Sequence, residues 1–254
     1  MLGVLNFFGI MINKVSKDNQ VLELIEQLRP LKVDLIRLGG NGDGGYLLPN
    51  DLNGITKCFS PGVSNIINFE IDLLGRGIQC FLADGSVDSL PMIHPDLVFE
   101  KKFVGPTQGE CVINFQHWIQ ANSESGEELI LQMDIEGSEY SCILSCDAKV
   151  LSQFRVIIVE FHFLHKLCDP SVFPVLRDTF LKLLDTHRVV HLHPNNSGGL
   201  MKNGKIQIPR TMEFTFIRKD YVKSSIYSDS FPHPLDFKNV HAKREVVLPR
   251  VWYS

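Results

Sequence analysis

None of the six cysteines in this 254-residue chain is part of a Cys-x-x-Cys pair. That removes the usual zinc-ribbon and dithiol signatures. Cys142 and Cys146 stand four apart, on one face of a helix, and a zinc site there would need further ligands. The plain expectation is thiols packed as small hydrophobes in a reducing compartment. Basic residues are too scattered to track a phosphate backbone: 25 Lys and Arg stand against 29 Asp and Glu, a net charge of −4. Nucleic-acid binding is therefore not expected. No apolar stretch approaches the ~20 residues of a membrane span. The opening MLGVLNFFGIMINK is apolar for about a dozen residues but lacks a basic start and a small-residue cleavage site. It is expected to pack on the body of the protein, with no integral membrane span and a cytoplasmic location. Repeats and low-complexity tracts are absent. With 44% hydrophobic and 21% charged residues, the composition is that of a folded globular chain.

Residues 17–30 carry Val21, Leu22, Leu24, Ile25 and Leu28 at helical spacing, ending at Pro30. Two short apolar runs then flank five glycines within seven positions: Gly39, Gly40, Gly42, Gly44 and Gly45. From residue 57 strands and helices alternate. KCFSPGV, IQCFLAD, LVFEKKFVG, ELILQMDI, RVIIVEFH and RVVHLHP read as strands, with TMEFTFIRKDY as a last one. ELILQMDI is almost continuously apolar, as expected of a strand covered on both faces. NIINFEIDLLGRG reads as a helix with Ile66, Ile67, Ile71 and Leu74 inward. CVINFQHWIQAN reads as a short helix, and Asp169-Pro170 as the start of another. This alternation predicts an α/β fold, a mostly parallel sheet with helices on both faces. An extension over 1–56 would precede the main domain at 57–221, and an irregular tail over 222–254 would wrap the same body.

In such sheets ligands bind beyond the carboxyl ends of the strands, and polar residues gather there. The first main strand runs into Ser60-Pro61-Gly62-Val63-Ser64-Asn65, the second into Asp84-Gly85-Ser86. The Gly62 turn, opening directly into a helix, would let the backbone approach a ligand closely. A side chain at Gly62 is expected to block that approach and leave the fold largely intact. Asp84 stands where an acid meets a ribose diol in nucleotide-binding α/β folds. Asp134-Ile135-Glu136-Gly137-Ser138-Glu139 places three acids within six residues behind a buried strand, a costly arrangement unless they bind something. The bland alternative is a turn that caps the next helix through Ser138 or Glu139. Glu160, His162 and His193 end the next strands, while His191 is expected on the far side or packed away. Together Asp134, Glu136, Glu160, His162 and His193 offer oxygen and imidazole ligands for Mg²⁺ or a transition metal, and the spacing selects neither ion.

FSPGVSNIINFEIDLLGRGIQCFLADGS, LILQMDIEGSEYSCIL and VIIVEFH, in that order, resemble the FkbM-like branch of S-adenosylmethionine-dependent methyltransferases. RLGGNGDGGYLLP is similar to an upstream R-x-G-x-x-x-D-G-G-Y segment of that branch. The likeness spans roughly residues 35–220. The sequence departs from the pattern in having Pro61 and a single glycine in the first turn, Asp84 where many relatives carry Glu, and Gln132 in place of Lys. The resemblance implies a Rossmann-like class I methyltransferase with a seven-stranded, mostly parallel sheet and an antiparallel last strand. It implies S-adenosylmethionine as cofactor, held by Arg37, Gly45, Tyr46, Ser60, Pro61, Gly62, Asn65, Asp84, Gly85, Ser86 and Asp134. The Asp43–Tyr46 loop would act as a lid, Tyr46 stacking and Arg37 forming a salt bridge. Chemistry would fall to His162, Asp134 and Glu136, His162 as the base for an acceptor hydroxyl and His193 in reserve. The expected activity is O-methylation, with a sugar hydroxyl of a glycan as acceptor. The alternatives are a small-metabolite or lipid O-methyltransferase and a silent S-adenosylmethionine-binding protein.

Overall fold

The computed structural model describes residues 18–204 and 206–254, so the apolar N-terminal run lies outside the described residues. The chain first forms helix α1 (Asp18–Gln27) and then the strands β1 (Leu35–Leu38) and β2 (Tyr46–Pro49). These two strands pair antiparallel across the glycine-rich loop. Asp-Gly and Gly-Gly steps favour such a hairpin because they supply the positive φ a tight connection needs. Next come β3 (Ile55–Pro61), α2 (Asn68–Leu74), β4 (Gln79–Ala83), β5 (Leu97–Glu100), β6 (Phe103–Gly105), β7 (Val112–Asn114), α3 (Phe115–Asn122) and β8 (Glu128–Met133). The remainder is α4 (Glu139–Ser145), α5 (Ala148–Leu151), β9 (Phe154–Phe161), α6 (Phe173–Thr186), β10 (His187–Pro194), β11 (Leu200–Asn203), β12 (Ile206–Pro209) and β13 (Met212–Arg218).

Seven strands make one sheet in the order β10-β13-β9-β8-β3-β4-β5. The neighbours from β9 to β5 run parallel, and β13 lies antiparallel to both β9 and β10. Numbered within the sheet by chain position, the order is 3-2-1-4-5-7-6. The winding reverses between β3 and β8, the switch point where α/β sheets open a crevice at their carboxyl edge.

Side-chain alternation sorts the core into two layers. Phe59, Leu129, Leu131, Ile157 and Val159 face one side, with α1, α3, α4 and α6 packed over them. Cys58, Cys80, Leu82, Ile130, Val156 and Ile158 face the other, covered by α2 and by Leu38, Tyr46 and Leu48 of the hairpin. All eight residues of β9 are buried, which explains the apolar run Val156–Val159 at its centre. In α2 the inward residues are Ile67, Phe69, Glu70 and Leu73, whereas Ile66 and Ile71 are exposed. Of the expected inward set, Ile67 is buried just ahead of the helix and Leu74 packs partly buried at its end, while Ile66 and Ile71 are not inward.

Other segments also depart from expectation. LVFEKKFVG is two strands, broken at Lys101-Lys102, and its second half leaves the main sheet to pair with β7. Helix α6 begins at Phe173, because Asp169 instead accepts hydrogen bonds from the N–H and hydroxyl of Ser171 in a turn of its own. The tail returns across the body. Trp252 is fully buried, its indole N–H donating to the Gln207 carbonyl.

Candidate functional site

The carboxyl ends of β3, β4 and β8 are stitched together by their backbones. Gly62 N donates to the Ala83 carbonyl at 2.9 Å, and Asp134 N to the Pro61 carbonyl at 3.1 Å. Gly62 has φ +85°, and a Cβ there would fall 1.5 Å from the Asp134 carbonyl oxygen. Glycine is therefore required for strand packing itself. This corrects the expectation that a side chain at Gly62 would spare the fold. The turn does not open directly into a helix either: five residues separate Gly62 from α2, whose first residue is Asn68.

Beyond this junction lies a cavity of about 480 Å³, lined among others by Asp43, Gly44, Tyr46, Asn65, Asp84, Ser86, Val87, Gln132, Asp134 and Glu136. That volume is in the ~300–1,000 Å³ range of small-molecule sites. Asp84 ends β4, its Oδ1 accepting from the N–H and hydroxyl of Ser86, both at 2.6 Å. Gly62 and Asn65 line the same space.

Other expected cofactor residues support the wall without lining the cavity. Ser60 and Pro61 are buried. A Cβ on Gly85 would meet the Phe103 ring at 2.6 Å, and one on Gly45 would meet the Gly40 carbonyl at 2.3 Å. Arg37 forms no salt bridge among the described residues. Its guanidinium donates to the carbonyls of Gly40 at 2.5 Å, Gly42 at 2.9 Å and Leu235 at 3.4 Å. It braces the glycine loop instead of reaching the cavity, because carbonyls three and five residues along its own hairpin lie within its span. Tyr46 packs edge-on to Phe69, with ring centroids 5.3 Å apart.

A buried polar chain runs behind the wall. Gln132 Nε2 donates to Tyr46 Oη at 3.0 Å, and Ser60 Oγ lies 2.5 Å from Gln132 Oε1 and within hydrogen-bond reach of Glu70 Oε1. One hydroxyl proton cannot serve both oxygens. Burial raises the Glu70 pKa, which resolves the conflict: protonated Glu70 donates to Ser60, and Ser60 donates to Gln132. A neutral glutamine at position 132 suits a neutral Glu70.

At the end of β8 the chain turns through Glu136 (φ 55°) and Gly137 (φ 109°). Glu139, with no exposed surface, holds that turn. Its Oε1 accepts from the N–H groups of Ile135 at 3.2 Å and Gly137 at 3.0 Å. The same oxygen lies 3.0 Å from His162 Nδ1, and Tyr140 Oη donates to the His162 carbonyl at 2.8 Å. Helix α4 is thereby tied to the end of β9. Ser138 makes no side-chain cap, so the side-chain hydrogen bonds that hold the acid-rich turn come from Glu139, beside one backbone bond from Ser138 N to the Ile135 carbonyl.

With Nδ1–H directed at Glu139, His162 Nε2 faces three other carboxylates. Glu136 Oε2 is 3.3 Å away, Glu160 Oε1 3.7 Å and Asp134 Oδ1 3.8 Å. Burial, reinforced by Glu136 and Glu139, lifts the Asp134 pKa to about 7 against the opposing pull of His162. Burial, with Asp134 and Glu213 nearby, also raises Glu160 well above the carboxylate range. For His162, burial pulls the pKa down, but the hydrogen bond and charge of Glu139, with Asp134 and Glu136, outweigh it and the net shift is upward.

His193 is set apart from this cluster. It is 3% exposed, its Nδ1 3.6 Å from Asp236 Oδ1. Burial opposes its charge, but Asp236 and Glu213 prevail and raise its pKa to about 9. His193 is thus held by Asp236 and Glu213, away from the carboxylates around His162. His191 is no outlier on the opposite face: its Nε2 is 2.9 Å from the same Asp236 oxygen. His191 is packed away, 3% exposed, as one of its two expected placements has it, but on the same face as His193, because residues two apart in a strand share a face.

The sheet order, with a cavity at the β3/β8 switch point, defines the class I methyltransferase fold. Within it, residues 82–187 match the family profile described as the methyltransferase FkbM domain. Solved structures include the antibiotic-resistance methyltransferase Kmr, 13% identical over 72% of this chain and 100% of its own, with a TM-score of 0.32. An S-adenosylmethionine-dependent methyltransferase from Archaeoglobus fulgidus is 10% identical over 66% of this chain and 88% of its own, with a TM-score of 0.36. No curated protein matches the chain. Among the described residues, no helix is long and apolar enough to cross a membrane.

Proposed function

We propose that this protein is an S-adenosylmethionine-dependent O-methyltransferase whose acceptor is a sugar hydroxyl of a glycan. The observation that carries this reading is the continuity of two sites: Asp134 and Glu136 both line the β3/β8 cavity and belong to the His162 cluster. The donor set fits the cofactor. Asp84 offers a carboxylate to a ribose diol, Asn65 and Ser86 offer further polar contacts, and Val87 with Ile66 offers apolar wall for a purine. Asp43 and Asp134 supply negative charge for the cationic part of the molecule.

When bound, the cofactor supplies a methyl group already activated on a sulfonium. The protein then has to place the acceptor oxygen in line and draw off its proton. The cluster at the ends of β8 and β9 suits that task. Glu139 fixes the ring of His162, and the carboxyl groups that face Nε2 give an acceptor hydroxyl hydrogen-bonding partners beside the cavity. The net charge of −4 favours a neutral polyol over a polyanionic nucleic acid.

The test is transfer of labelled methyl from S-adenosylmethionine to a panel of neutral saccharides and their amino-sugar counterparts. Label in base-stable ether linkage on the neutral sugars is expected. Transfer confined to amines, or to small non-sugar alcohols, would overturn the acceptor assignment.

A further inference from the structure

We infer that Asp134, Glu160 and His162 bind a divalent first-row transition-metal ion at the mouth of the cavity. The inference rests on the proposed methyl transfer for its purpose, but not for its geometry. One ligand atom from each of the three residues lies within 4.8 Å of the other two. An ion held at ~2.1 Å from oxygen and nitrogen ligands spaces adjacent ligands ~3.0 Å apart and opposite ones ~4.2 Å apart. The distances from His162 Nε2 to Asp134 and Glu160, 3.8 and 3.7 Å, fall between these limits. Small rotations of side chains would close them around an ion.

Three further features point to a cation at this place. His162 is oriented as metal-binding histidines are, one ring nitrogen directed at a buried carboxylate and the other presented to the ion; here Glu139 is the orienting group. Asp134 Oδ1 is enclosed and has no hydrogen-bond partner, an arrangement that costs free energy unless something binds the oxygen. Acidic groups are also crowded here without a cationic side chain. Asp134, Glu136, Glu139 and Glu160 surround one imidazole, and none of the four forms a salt bridge with lysine or arginine among the described residues. The imidazole ligand favours Fe²⁺ or Zn²⁺ over Mg²⁺ or Ca²⁺, and the two carboxylates also suit Mn²⁺. Glu136, whose side chain is 86% exposed, stands at the open side, where an acceptor would approach. On this inference His162 Nε2 is a ligand and not the base, and Glu139 is a positioning residue.

Mn²⁺ is the probe. Loss of the free-ion electron paramagnetic resonance signal, measured on the full chain without cofactor, should report one bound ion with a Kd well below ~1 mM. Glu160→Gln and His162→Gln should each weaken Mn²⁺ by at least about tenfold, and Glu139→Gln by about tenfold through misorientation of His162. Glu160→Gln should leave S-adenosylmethionine affinity within about twofold, since Glu160 does not line the cavity. Far-ultraviolet circular dichroism decides which variants are folded, and Glu160→Gln alone suffices if the others are not. A folded wild-type protein that binds S-adenosylmethionine but no Mn²⁺ would overturn the metal site and leave the methyltransferase reading standing. Mn²⁺ binding undiminished in Glu160→Gln would also overturn it, because the ion would then lie elsewhere. Mn²⁺ binding without cofactor binding would contradict the methyltransferase reading instead.

Discussion

Replacing Gly62 with alanine should damage the protein far more than the same change at Gly77. Both glycines have positive φ, +85° and +76°, and each substitution carries the ~1–2 kcal/mol cost of placing an L-residue there. Nothing lies within 4 Å of a Cβ on Gly77, whereas at Gly62 the Asp134 carbonyl oxygen and carbon lie 1.5 and 2.4 Å away. Ordinary contact requires the two backbones to part by well over 1 Å. That opening breaks or stretches the Gly62–Ala83 and Asp134–Pro61 hydrogen bonds, each worth ~1 kcal/mol. The expected loss is therefore roughly 3–4 kcal/mol at Gly62 against ~1–2 kcal/mol at Gly77. For a chain of this size the difference of about 2 kcal/mol is a Tm gap of about 4–8 °C. Scanning calorimetry of the two variants beside wild type measures it. Gly62→Ala should also weaken S-adenosylmethionine, because Asp134 moves with the junction. Melting temperatures within about 2 °C of one another would refute the packing argument.

The buried Glu70–Ser60–Gln132–Tyr46 chain makes two opposite expectations. Glu70→Gln preserves a donor to Ser60 and should be nearly neutral at pH 7, whereas Ser60→Ala strands a buried carboxyl and should cost ~1–3 kcal/mol in denaturant unfolding; equal effects would show that Glu70 is not the proton donor. His193 has a folded pKa of about 9, above the ~6.5 of an unfolded chain. Its contribution is fully present below pH ~6.5 and is lost as pH rises through about 9, at most about 3 kcal/mol. Tm measured from pH 6 to 9.5 should therefore fall more steeply for wild type than for His193→Asn, and parallel curves would remove His193 from the balance.

The sheet was readable because its central strands are covered on both sides, so Leu129–Leu131 and Val156–Val159 appear as apolar blocks. The β11–β12 hairpin was not. Leu200–Asn203 and Ile206–Pro209 are four residues each, too short for a period to register against Lys202 and Gln207. At the site, Asp134, Glu136 and His162 were legible because strand ends converge at one edge. The part played by Glu139 was not, since its hydrogen bond spans 23 positions to His162 and nothing local distinguishes it from a capping acid. The tail hid two more partners. Asp236 reaches back to His191, and Asn239 Nδ2 donates to Glu213 at 2.7 Å. Such contacts follow from the path of an irregular segment, which no periodicity encodes.

Isothermal titration of S-adenosylmethionine into the wild-type protein and into Asp84→Ala tests the account most directly, because everything proposed for the cavity depends on the cofactor meeting Asp84. The expected result is one site in the wild type, weakened by ~1.5–3 kcal/mol in the variant, a rise in Kd of roughly ten- to over a hundredfold. A folded wild-type protein that gives no binding, or an Asp84→Ala protein that binds as tightly as wild type, would contradict it.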